Sequence, residues 1–101
     1  MTLKRIKIIA EHMRTTLDGS DASYIQQRLP EGLDIVLGRR GRTRFVMFWR
    51  RDMHLNNEAA ETIAEAFGVP MGTEPDCFES KDLGGRAFVT RYSWTEEPVV
   101  A

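Results

Sequence analysis

The chain has 101 residues, 42% hydrophobic and 29% charged, with a formal net charge of -1. These figures suit one domain, residues 1–101, built on a single modest core, and they exclude a polycation that would bind nucleic acid by bulk charge. Cys77 is the single cysteine and the apolar run after Lys4, Arg5 and Lys7 is only Ile8-Ile9-Ala10, so neither an internal disulfide nor a signal peptide nor a membrane span is expected, and the setting reads as cytoplasmic.

Taken in order, Thr2 to Leu17 predicts a helix. Ile6, Ala10, Met13 and Leu17 fall on one stripe, with Thr2 able to cap the start and Gly19 able to take a left-handed position at the end. The isoleucines leave a strand over Leu3 to Ile9 as the rival. Ser23 to Leu29 predicts a strand, Pro30-Glu31-Gly32 a turn, and Leu33 to Leu37 a second strand. Gly38-Arg39-Arg40-Gly41 reads as the next turn, and Arg42 to Arg51 as a third strand, which completes a meander. Asn56 or Asn57 caps a second helix that ends near Phe67, with Ala60, Ile63, Ala64 and Phe67 as its apolar stripe and Gly68-Val69-Pro70 as its stop. Met71 to Gly85 reads as a long loop, broken by Gly72, Pro75 and Gly84-Gly85. Arg86 to Trp94 predicts a last strand, with Phe88, Thr90, Tyr92 and Trp94 on one face, and the tail from Glu96 is expected to fray. The expected fold is therefore α+β: a four-stranded, mostly antiparallel sheet in the order α-β-β-β-α-β, with two helices packed on one face.

Charge is segregated along this chain. Residues 36–55 carry six arginines against Asp52, a local +5, while residues 56–82 carry seven carboxylates against Lys81, a local -6. The arginines bracket the apolar run Phe45-Val46-Met47-Phe48-Trp49. In a strand, Phe45, Met47 and Trp49 share one face and Val46 and Phe48 the other. Such a strand is either buried on both sides or offers one face to a partner. In the first functional reading Arg39, Arg40, Arg42, Arg44, Arg50 and Arg51 contact phosphates or guanine edges, and Trp49 packs on sugar or base. In the plainer one the aromatics are core, and the arginines reach water or pair with Glu58, Glu61 and Glu65.

No catalytic signature appears. His12, His54 and Cys77 lie in separate elements without metal-ligand spacing, and both histidines read as surface residues. Glu74, Asp76 and Glu79 lack the register of a calcium loop, and Gly84-Gly85 lacks the lysine of a phosphate loop, so no cofactor is expected. The aromatic ladder Phe88, Tyr92, Trp94 reads as core. In element order the chain resembles the double-stranded RNA-binding fold, whose second helix meets phosphate with a basic start; here Asn57-Glu58-Ala59-Ala60-Glu61 is acidic. The meander and following helix, Arg42 to Phe67, are also similar to the three-stranded arm-binding domains of tyrosine recombinases and plant AP2 factors, which read DNA with the sheet. The expected function is a small nucleic-acid-binding protein acting through residues 39–51. The alternative is a protein-binding module, inhibitor or regulator, of the kind a mobile element encodes, acting through its basic or acidic surface without catalysis and open to homodimer formation. A third reading, a small enzyme or ligand binder using the Cys77 loop, expects a concave pocket lined by that loop.

Overall fold

The structure is a computed structural model that describes residues 2–51, 55–81 and 87–96, Arg51 without its side chain. Its elements run α1 (Leu3–Asp18), β1 (Tyr24–Arg28), β2 (Leu33–Arg40), β3 (Thr43–Arg51), α2 (Asn57–Ala66), β4 (Asp76–Ser80) and β5 (Ala87–Thr95). The strands form one five-stranded antiparallel sheet in the order β1-β2-β3-β5-β4. The α+β class, the meander and the two helices are as expected; the strand count is not. The fifth strand, β4, lies inside the stretch read as a loop. Its sequence, Asp-Cys-Phe-Glu-Ser, has no apolar alternation because β4 is an edge strand with four of its five side chains exposed, held by backbone pairing to β5.

The helices follow their stripes. In α1, Ile6, Ala10, Met13 and Leu17 are buried, and the Thr2 hydroxyl accepts the Arg5 N–H at 3.3 Å. Gly19 corrects the expectation: with φ -86° it is not left-handed, and α1 closes through ordinary bonds such as Gly19 N–H to the Thr15 carbonyl at 3.1 Å. In α2 the cap is Asn56, whose Oδ1 accepts the Ala59 N–H at 2.8 Å. Its stop is a Schellman motif. Gly68 sits at φ +73°, its N–H donates to the Glu65 carbonyl at 3.1 Å, and the Val69 N–H donates to the Ala64 carbonyl at 3.0 Å.

The β2–β3 hairpin is tighter than expected. Arg39 and Arg40 pair with Arg44 and Thr43, so only Gly41 and Arg42 connect the strands. Gly38 therefore lies within β2, opposite Phe45, and a Cβ there would come within 2.1 Å of the Phe45 ring. Its role is to let the ring lie over the backbone.

Helices and sheet enclose one core. Leu33, Ile35 and Leu37 of β2, Val46 and Phe48 of β3 and Tyr92 of β5 pack with the stripes of α1 and α2. Phe48 and Tyr92 stack with ring centres 6.2 Å apart. Phe88, Thr90, Tyr92 and Trp94 do share a face, and Tyr92 and Trp94 belong to this core. The other face of the sheet carries a second cluster, in which Val36, Trp49, Ala87 and Val89 are buried and Phe45 and Met47 half-buried. Phe48 is 0% and Trp49 2% exposed, so β3 buries large side chains on both faces, fully on the helix side and in part on the other, where Phe45 and Met47 are half-buried. Each large apolar side chain so buried contributes about 1.5–3 kcal/mol. Helix α1 lies against β1, β2 and α2. Beside α2, on the same side of the sheet, a groove opens over β5 and β4.

Candidate functional site

Alternation along β2 and β3 sends Arg39, Arg44 and Arg50 to the helix side of the sheet, where the chain supplies their acceptors. Arg39 Nη1 lies 3.3 Å from Asp18 Oδ1, and its Nη2 donates to the Ser20 carbonyl at 2.7 Å. Arg44 donates to the same Asp18 oxygen from both terminal nitrogens at 3.2 Å, and its Nε lies 3.2 Å from Glu96 Oε2. Arg50 Nη2 donates to the Glu31 carbonyl at 3.3 Å. The acceptors are thus Asp18, Ser20, Glu31 and Glu96, not the α2 carboxylates that the sequence suggested. Asp18 stands in the last turn of α1, where the helix dipole disfavours an acid, and its contacts with Arg39 and Arg44 offset that cost. That misplaced charge at Asp18 was the one available sign.

Arg40 and Arg42 are exposed at the hairpin tip, and their side chains have no partner among the described residues. Trp49 is buried beside Val89 and Asp34, so its ring is closed to stacking, and its indole N–H has no hydrogen-bond partner among the described residues. The Arg51 side chain lies outside the described residues, as do His54, Gly84-Gly85, Arg86 and the tail beyond Glu96. Of the seven residues marked for nucleic acid, three are tied to acceptors on the helix side, two project at the hairpin tip, one is buried and one has a side chain outside the described residues.

The other candidates are dispersed. His12 is exposed on α1. Asp76 pairs with Arg91 across the sheet at 3.2 Å, and the Arg91 guanidinium lies 5.2 Å from the centre of the Phe78 ring. No group of metal-ligating side chains occurs among the described residues. No described helix is long and apolar enough to cross a membrane.

The groove beside α2 has a volume of about 980 Å³. One wall is α2, through Ala60, Glu61, Ala64 and Glu65. Another is the connection from Val69 to Pro75, and the floor is Cys77 of β4 with Thr90 and Tyr92 of β5. The pairing of Cys77 with Thr90 places both on the groove side, with Cys77 Sγ 4.0 Å from Thr90 Oγ1. Met71, fully exposed, stands at its mouth. Burial pushes the Tyr92 hydroxyl above its usual range, with the nearby Glu61, Cys77 and Glu74 adding to the rise, so it stays protonated as a hydrogen-bond donor. Glu61, Glu65 and Glu74 have no ion-pair partner among the described residues, and no described lining residue is basic. The third sequence reading expects a pocket lined by the Cys77 loop, but it does not foresee the floor of the groove, because without β4 Cys77 and Thr90 cannot be brought together. The excessive length of the 71–85 loop was the available signal. No family model, curated protein or solved structure matches the chain.

Proposed function

We propose that the chain is a non-catalytic protein-binding module that takes its partner in the groove beside α2. The observation that carries this reading is an open groove of about 980 Å³ with Tyr92, Val69 and Leu55 among its lining and a methionine at its mouth. Its size suits several side chains of a polypeptide, and an exposed methionine is a contact that adapts to the shape it meets. Sequestration of Arg39, Arg44 and Arg50 by Asp18, Ser20, Glu31 and Glu96 supports it by removing half of the rival basic surface.

The test is a photo-crosslinking amino acid at Met71, used in the cell, with the adduct mapped by mass spectrometry. A protein adduct at the groove, lost when Cys77 carries a bulky maleimide, is expected. Adducts that persist after this blockade, or that form with nucleic acid alone, would overturn the reading.

Exposure of Arg40 and Arg42 favours a second reading, weak nucleic-acid binding at the hairpin tip. Two phosphate contacts predict a salt dependence with a log–log slope of about -2. An oligonucleotide not retained even at low salt, or retained equally by the Arg40→Ala/Arg42→Ala variant, rejects it.

A further inference from the structure

Resting on the groove as a protein-binding site, we infer that its occupant is a basic, amphipathic polypeptide segment, with apolar anchors against Leu55, Val69 and the Tyr92 ring and lysine or arginine for the rim. The argument starts from charges that the fold itself does not use. Glu61 and Glu65 are one turn apart on α2, and like charges at that spacing weaken a helix. Glu65 also stands in the last turn, where the helix dipole opposes an anion and no basic residue compensates. Glu74 adds a third carboxylate from the connection, and none of the three has an ion-pair partner among the described residues. Glu61 and Glu65, which weaken α2, and Glu74 from the connection thus flank a groove that is part apolar, through Leu55, Val69 and the Tyr92 ring, and part polar, through Cys77 and Thr90. A partner that carries cations relieves them, and one that carries phosphates or carboxylates does not.

The same charges set the occupant apart from its rivals. A second copy that set groove against groove across a two-fold axis would face the three carboxylates with three more, so that arrangement is disfavoured. Nucleic acid meets the same repulsion. Between the acids, Ala60 and Ala64 are one turn apart and small, which leaves room for larger side chains from the partner, while the protonated Tyr92 hydroxyl can donate to its backbone.

The test uses the full chain and a random peptide library. Peptides are selected on the immobilised chain and then on the same chain with Cys77 blocked by a bulky maleimide, and the blockade-sensitive ones are measured by fluorescence anisotropy. The expected winners combine leucine, isoleucine, phenylalanine or tryptophan with lysine or arginine, and they weaken as salt rises. All three carboxylates are exposed, so Glu61→Gln/Glu65→Gln/Glu74→Gln leaves the fold intact; it is expected to bind these peptides roughly tenfold more weakly. Acidic or uncharged winners that need an open groove, or winners indifferent to the triple variant, would overturn the basic partner and leave the protein-binding reading standing. A library with no blockade-sensitive peptide would overturn both. A dimer in sedimentation that the blockade disperses would make the occupant a second copy, and the inference would fail.

Discussion

Single side chains in this protein are often explained by a neighbour on the adjacent strand, and Gly38 is the clearest case. In the sequence it belongs to a turn beside Gly41; in the fold it is a strand residue whose missing Cβ makes space for Phe45. Gly38→Ala should therefore displace the ring and cost about 1–3 kcal/mol. Thermal unfolding would read this as a drop of roughly 4–8 °C per kcal/mol for a domain of this size. An unchanged melting temperature would show that the ring does not need the glycine. Asp34, 1% exposed, is the other such residue. It sits beside Trp49 and accepts from Arg28 Nε at 2.9 Å, which keeps its charge compensated. Neither role could be read from composition or alternation, because each depends on register, and register becomes visible only once the hairpin length is fixed.

Elements were legible where their stabilisation is local. Periodicity and capping placed α1 and α2, since apolar stripes, Asn56 and the Gly68-Val69-Pro70 stop act within a few residues of themselves. Strand β4 was not legible because the information that makes it a strand lies in β5. Ties between elements were hidden for the same reason. Arg5 of α1 donates to both oxygens of Glu31 in the β1–β2 turn, and these bonds, the largest influence on the group, hold its carboxyl below the usual glutamate range against the opposing effect of burial. A carboxyl depressed in the folded state stabilises above its unfolded pKa of about 4.3 and loses that contribution as pH falls through its lower folded value. Denaturant titrations between pH 7 and pH 3 should show the parent chain losing its advantage over Glu31→Gln in that acid window. A stability difference that stays constant across the range would mean that the pair contributes nothing through its charge.

At the scale of the molecule, segregated charge in the sequence suggested two opposed surfaces, one basic and one acidic. Folding leaves unpaired charges on each: Arg40 and Arg42 of the basic stretch, and Glu61, Glu65 and Glu74 of the acidic one, have no ion-pair partner among the described residues, while Asp76 of the acidic stretch pairs with Arg91. The basic stretch is cut up by alternation: guanidinium groups on the helix side become ties to α1 and its flanking turns, and those at the hairpin tip stay in water. The acidic stretch keeps Glu61, Glu65 and Glu74 around the groove. A net-charge map along the chain could not anticipate this, because Asp18 and Glu96, whose carboxylates engage Arg39 and Arg44, lie outside both segments.

The order β1-β2-β3-β5-β4 also has a kinetic consequence. One neighbour of β3 comes from an adjacent hairpin, but the other pairs Thr43 with Thr95, across the whole of α2 and β4. A nascent chain that has just completed β3 thus exposes an unpaired edge that is apolar on both faces, a template for misassembly until β5 has been synthesised. This pairing spans the largest sequence separation in the sheet, so its loop closure costs the most entropy, and the half-finished sheet is the species expected to need shielding until it forms.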